Sequence, residues 1–133
     1  MAMISPLTRW ALKLAIASVW VYQGLWNKFL VVRIFAWDDR HLRIMQQALG
    51  ETEGDLALYG LAGLETLFAL AVLISWRPLM TARAQIGLLL GMNAAGILFA
   101  AASIPDIGGM LTMNAVFCVA VWIDAKLSST TAS

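Results

Sequence analysis

The sequence predicts an all-α polytopic membrane protein: four transmembrane helices in an antiparallel up-down bundle, with a short interfacial helix in the first connection. Three observations predict it. Of the 133 residues, 61% are apolar and 13% charged, against about 45–50% and about 25% in a soluble domain. The apolar residues gather into four runs of roughly the 20 residues that a bilayer-crossing helix needs, the last run being shorter. The second and third connections are short, which sets antiparallel neighbours. One transmembrane domain is expected over residues 1–127, with 128–133 a disordered tail.

The chain opens on a short polar stretch, Met1 to Thr8, with Pro6 near a helix start. Arg9 and Lys13 precede the first apolar run, and Ala15-Ile16-Ala17 has the look of a signal-peptidase site. Lys13 interrupts the apolar region, however, and apolar residues continue well past the supposed cut. An uncleaved first span, Thr8 to Val32, is expected. Ala36 to Asp55 is the one sizeable connection. Asp38 and Asp39 are plausible caps there and Gly50 a plausible stop. Leu42, Met45 and Leu49 share one helical face, which predicts a short amphipathic helix in the interface. Trp37 suits the headgroup level, and Glu51 to Asp55 reads as a turn.

The second span, Leu56 to Trp76, carries Gly60, Ala62 and Gly63, small residues that permit close helix contact. Trp76-Arg77-Pro78 ends it with a belt aromatic, a charge and a breaker. The third span, Thr81 to Ile104, contains Gly87 and Gly91 in a GxxxG pattern, continued by Ala95. Small residues at that spacing let backbones approach, so Gly87 and Gly91 are expected at a helix–helix contact, within the chain or in a homo-oligomer. Ser103 to Asp106 and Gly108-Gly109 form a turn. The fourth span, Met110 to Ile123, ends at Asp124 and Lys126.

With four spans, one side carries Arg9, Lys13, Arg77, Arg83 and Lys126, and the other Arg33, Arg40 and Arg43. The positive-inside rule then sets both termini in the cytoplasm. A net charge of +1 offers no broad basic surface for nucleic acid. Cys118 is the single cysteine, which excludes an internal disulfide and any CxxC motif. His41 is the single histidine, which excludes paired-histidine haem ligation within one chain. It reads as a solvated loop residue. No metal site is expected.

The candidate site is built on charges inside apolar runs. Such charges are costly and face a partner or a cavity. Lys28 lies seven residues before Phe35, and Glu65 nine residues after Leu56. At 1.5 Å per residue these are depths of roughly 10 and 13 Å below the same surface. Taken alone, Lys28 could snorkel to the interface. Glu65 has no such escape and must be protonated, paired or wetted, and pairing with Lys28 solves both problems. Gln23 and Asn27 sit one turn apart on the first span. Asn93 and Asn114 put amides on the third and fourth spans, in the same half of the membrane. Taken singly these two read as interhelical hydrogen-bond partners. Together, Gln23, Asn27, Lys28, Glu65, Asn93 and Asn114 form the candidate ligand site. No catalytic residue is assigned.

Gly24-Leu25-Trp26-Asn27-Lys28 resembles the GLxxK signature of the DoxX-like membrane proteins, and Gly60-Leu61-Ala62-Gly63-Leu64-Glu65 resembles that family's second helix. Ile104-Pro105-Asp106 and Asn114 fit the turn and fourth helix loosely. The resemblance spans roughly Arg9 to Lys126. It implies a four-helix bundle in a bacterial plasma membrane; the family's naming member is associated with a terminal oxidase and thiosulfate:quinone oxidoreduction. The resulting expectation is a polar pocket around Lys28 and Glu65. It would bind a quinone-like or other amphipathic small molecule, or serve the membrane subunit of an oxidoreductase system with a partner protein. The alternative is a structural or assembly factor whose ion pair only locks helices and whose GxxxG face recruits a membrane partner.

Overall fold

The computed structural model describes residues 4–130. The described residues are helical nearly throughout and contain no strand. Helix α1 (Pro6–Val21) runs without a break into a π-helix, Tyr22–Phe35. Four α-helices follow: α2 (Arg40–Leu49), α3 (Glu51–Leu73), α4 (Pro78–Ala100) and α5 (Ile107–Ser129). A 3₁₀ turn, Ala101–Ser103, extends α4. Among the described residues, three helical segments are long and apolar enough to cross a membrane: Glu51–Leu73, Pro78–Ser103 and Ile107–Ser129.

Polarity is distributed inside out. Leu67, Ile74, Leu98 and Met113 are each more than 60% exposed, while Lys13, Lys28, Glu65, Gln85, Asn93 and Asp124 are buried. An apolar coat of this extent on a soluble surface would drive association. Around a membrane helix bundle it is the lipid face.

Local sequence explains the helix boundaries. The Ser5 hydroxyl accepts the Thr8 N–H at 3.1 Å and Pro6 occupies the first turn of α1, a position where its missing N–H costs nothing. Asp106 caps α5, accepting the Gly109 N–H at 2.8 Å. Arg77 adopts a left-handed conformation ahead of Pro78 and so separates α3 from α4. Trp20, Gly24, Lys28 and Val32 are all buried. One inward stripe, recurring every fourth residue, therefore carries on from α-winding into π-winding. The π segment ends at Ala36, whose N–H donates to the Val31 carbonyl.

Packing places α1 against α3 and α5, α4 against α5 and α3, and the π segment against α3. The main apolar core gathers Ile16, Ala17 and Trp20 of α1, Ala69 and Val72 of α3, Ala82 of α4, and Val121 and Ala125 of α5. Trp20 packs on Phe68 and Phe117, with ring centroids 5.3 and 5.5 Å away, and its indole donates to Gln85 Oε1 at 2.6 Å. At the same end, the Lys13 ammonium donates to the Ser128 hydroxyl at 2.7 Å and lies 3.2 Å from Asp124 Oδ1.

Three expectations are corrected. Glu51 to Asp55 is the first turn of α3 rather than a loop, because Gly50, at φ 96°, turns the chain from α2 straight into α3. The last helix runs to Ser129, well past Ile123, and includes Ser128 of the expected tail. Asp124 and Lys126 do not end it, since Lys13 neutralises Asp124 internally; residues 131–133 lie outside the described range. Helix α2 forms between Asp39 and Gly50 and is amphipathic, as expected; it packs over one end of the helices with Leu42 and Met45 half-buried, while Leu49 is exposed. Finally, Gly60, Gly63, Gly87 and Gly91 have nothing of the chain within 4 Å of where a Cβ would stand. The GxxxG pattern of α4 faces outward.

The close approaches use other glycines. A Cβ at Gly24 would lie 2.7 Å from the Ala62 carbonyl oxygen and 2.9 Å from Glu65 Cβ. One at Gly54 would lie 2.7 Å from the Gln46 backbone. Gly24→Ala and Gly54→Ala are therefore expected to overpack backbone contacts and to cost about 1–3 kcal/mol each. Gly87→Ala and Gly91→Ala should be neutral or slightly stabilising. Thermal unfolding of the four variants in detergent tests this, and a loss at Gly87 with none at Gly24 would assign the packed face to the wrong side.

Candidate functional site

Gly24 lets the π segment lie against α3 at Ala62 and Glu65, and Lys28 stands one turn further along the π segment. The Lys28 ammonium donates to Glu65 Oε1 at 3.0 Å and lies 2.8 Å from Oε2. It also donates to the Gln23 carbonyl at 3.1 Å. Both side chains are 1% exposed. Pairing is what makes either charge tolerable there, because desolvating a lone ion in such surroundings costs several kcal/mol. The pair is completely formed on the lysine side. On the carboxylate side Oε2 has the ion-pair contact with the ammonium.

The pair closes one side of a cavity of about 890 Å³, near the upper end of the range for small-molecule sites. Gln23, Asn93 and Asn114 also line it, so the structure brings together five of the six residues expected from sequence. Asn114 Nδ2 donates to Asn93 Oδ1 at 2.7 Å, joining α5 to α4 across the cavity wall. Asn27, half-buried on the π segment, is not part of the lining. The body of the cavity is apolar, with Trp20, Leu89, Met92, Met110 and Phe117 among its walls.

Helix α2 supplies a cover, and with it cavity residues that the sequence reading did not assign to the site. His41, Ile44 and Met45 line the cavity. Gln46 Nε2 donates to Asp55 Oδ1 at 3.0 Å, the same carboxylate that pairs with Arg33 at 2.7 Å, and Ser103 hydrogen-bonds Gln47 Oε1 at 3.1 Å. These contacts tie α2 to the π segment, α3 and the end of α4. His41 is thus a half-buried cavity residue, not a solvated loop histidine. Its place one turn ahead of Met45 was the available signal. Asp124 was likewise read as a span end, although four-span counting puts it at the same membrane surface as Lys13.

Burial pushes the His41 imidazole down to about 4, with the Lys28 and Arg40 charges acting in the same direction and Asp38 opposing them. The folded protein therefore holds His41 neutral, whereas an unfolded chain protonates it below about 6.5. That contribution to stability is complete above pH 6.5 and is lost as the pH falls from 6.5 towards 4. Relative to wild type, His41→Gln is expected to lose less stability over that window, by on the order of 2 kcal/mol. Chemical unfolding in detergent at pH 7.5 and 4.5 tests this, and parallel losses in the two proteins would show that His41 stays solvated.

The lateral wall of the cavity includes residues that are themselves exposed on the outer surface. Ser18 and Val19 come from α1, Tyr22 from the start of the π segment, and Met113 and Val116 from α5. The cavity thus opens sideways onto the apolar coat.

No curated protein and no solved structure matches the chain. The family model of the DoxX-like family matches residues 17–122, a range that takes in the Gly24–Lys28 stretch, α2, Glu65 and both asparagines. The chain belongs to the DoxX-like family of membrane proteins.

Proposed function

We propose that this protein is a four-span bundle whose cavity binds an amphipathic small molecule drawn from the bilayer, quinone-like compounds included. It would act as a ligand-binding protein or as the membrane subunit of an oxidoreductase system. The observation that carries this reading is the 890 Å³ apolar cavity with a buried ion pair at one end and a lateral opening. An amphipathic ligand has the matching division into a polar head and an apolar body. The positioned charges and the three amides Gln23, Asn93 and Asn114 would orient the head.

The fourth span is α1 continued by the π segment. The 16 residues of α1 rise only about 24 Å, short of a hydrocarbon core of about 30 Å, so the π segment completes the crossing. The up-down arrangement then follows from the short connections, with both termini in the cytoplasm of a bacterial cell and the α2 cover outside. On this reading the residues form one domain. Single-cysteine labelling in a Cys118→Ala background tests the orientation. A cysteine at Arg43 in the α2 segment should be modified in intact cells, and modification only after lysis would reverse the assignment.

The alternative, a structural or assembly factor, draws on the outward glycines. Gly60, Gly63, Gly87 and Gly91 have no opposite number among the described residues, and a partner helix or second copy could seat there. On that reading the Lys28–Glu65 pair only locks the helices.

The variants that separate the readings are Lys28→Met, Glu65→Gln and the two combined. Each single change strands a buried charge or removes its partner and is expected to cost up to about 3–5 kcal/mol. The combined variant should recover most of that stability while losing affinity for dodecyl-benzoquinone or other alkyl-chain probes. Calorimetry and native mass spectrometry in mild detergent measure both quantities. Wild-type protein that carries no small molecule and responds to none of the probes would favour the assembly factor. Additive single variants would mean that the two side chains do not interact, since residues in contact show coupling.

A further inference from the structure

A cavity flanked by exposed apolar residues and set in a bilayer stands in a large excess of phospholipid, and it needs some basis for refusing bulk lipid. The distribution of charge around it supplies one. Four Lys and Arg side chains lie between Tyr22 and Trp76, and each has a carboxylate partner. Lys28 lies 2.8 Å from Glu65, Arg33 2.7 Å from Asp55, Arg40 2.8 Å from Asp38 and Arg43 2.6 Å from Asp39. Of these ions only Lys28 and Glu65 line the cavity, and both are spent on each other at 1% exposure. What the wall offers in addition is neutral. Burial holds the His41 imidazole neutral at pH 7, and the ring makes no hydrogen bond to any described group. Asn93 and Asn114 share one hydrogen bond, which leaves N–H donors on one amide and a carbonyl acceptor on the other, whichever way the two amides are turned. The free polar atoms of His41, Asn93 and Asn114 keep accessible surface, unlike Glu65 Oε2.

Building on the reading of the cavity as a ligand site, we infer that it takes amphipathic molecules with an uncharged, hydrogen-bonding head and excludes ionised heads, those of phospholipids included. An anionic head entering the cavity meets no free cation, since every Lys and Arg on that side already has its carboxylate. A cationic head meets no free carboxylate, since Glu65 is the one acid in the lining and Lys28 holds it. Moving an unpaired ion from water into apolar surroundings is strongly disfavoured. A neutral head carries no such cost, and its donors and acceptors have partners in His41, Asn93 and Asn114. An alcohol, a carbonyl and an amide all fit this description, because imidazole and amide groups both donate and accept. Selection here is by charge and not by the kind of neutral head. The paired charges thus make the cavity a filter: alkyl chains of any lipid can approach its flank, and the head group decides which molecule stays.

The test uses full-length protein in a mild non-ionic detergent at neutral pH and three probes sharing one chain length: dodecanamide, dodecanoate and dodecylamine. Dodecanamide and dodecanoate have nearly the same shape and differ in charge. Calorimetric titration, corrected for the partition of each probe into protein-free micelles, is expected to show the amide bound at least about tenfold more tightly than either ion. His41→Lys sets an ammonium without a carboxylate partner in the cavity wall. It should raise the affinity for dodecanoate by at least about tenfold and leave dodecylamine weak. The wild-type ratio decides the matter even if that variant does not fold. Dodecanoate or dodecylamine bound to wild type as tightly as the amide would overturn the uncharged-head assignment while leaving the cavity a ligand site. A copurified phospholipid that dodecanamide displaces one for one, seen by native mass spectrometry, would overturn it likewise. A folded His41→Lys variant with no gain for dodecanoate would show that a missing counter-charge is not what excludes anions, and would also overturn it. Binding of none of the three probes would overturn the ligand-site reading as well.

Discussion

The contact between Lys28 and Glu65 is the constraint on which the rest of the structure depends. Neither charge is tolerable alone at 1% exposure, so the π segment and α3 must meet in the one register that pairs them. Gly24 makes the meeting possible: it stands where any side chain would run into the Ala62 carbonyl and the Glu65 stem. Glycine, lysine and glutamate thus act as one device, the glycine supplying proximity and the two charges supplying register. Polar contacts between membrane helices average only about 0.6 kcal/mol. Such a device therefore selects an arrangement more than it adds stability.

The two ends of the helices solve the same problem differently. Near the chain termini, Lys13, Asp124 and Ser128 form a closed polar cluster, and the adjoining void, at about 10 Å³, is about the size of one water. At the other end, the second ion pair borders a cavity of about 890 Å³. The hydrogen bond between Trp20 and Gln85 stands between them, Trp20 facing the large cavity and Gln85 the small void. Two buried ion pairs of similar chemistry therefore differ in role, one set in a filled end and one in a hollow one. A widened helical turn is often found at functional sites, and here the π segment belongs to the hollow end.

The cover on the hollow end follows from two more glycines. Gly50 reverses the chain without a loop, and Gly54 lets the α2 backbone press on the first turn of α3. His41, Ile44 and Met45 are thereby set over the cavity, while Arg40, Arg43, Asp38 and Asp39 pair among themselves on the outside. The cavity is thus covered at one end by a polar-backed helix and flanked by exposed apolar residues, the access that the proposed amphipathic ligand would need.

Sequence by itself determined the helical, membrane-embedded character of this protein, because apolar content and run length depend on composition alone. It also determined the Lys28–Glu65 pair: a charge buried in lipid has few escapes, and counting residues from a span end gives depth directly. Tertiary structure decided what counting cannot reach. Whether Gly87 and Gly91 or Gly24 and Gly54 lie at a contact depends on how each helix is rotated about its axis, and GxxxG spacing is silent on rotation. Asp124 resembled a span end until a partner from α1 was found beside it, and His41 resembled a solvated residue until α2 folded over the cavity. Asn27 has the residue type and depth of a site residue, yet the winding of the π segment keeps it off the cavity wall. Position along a helix axis follows from sequence order; position around the axis is settled by packing against helices that lie far away in sequence.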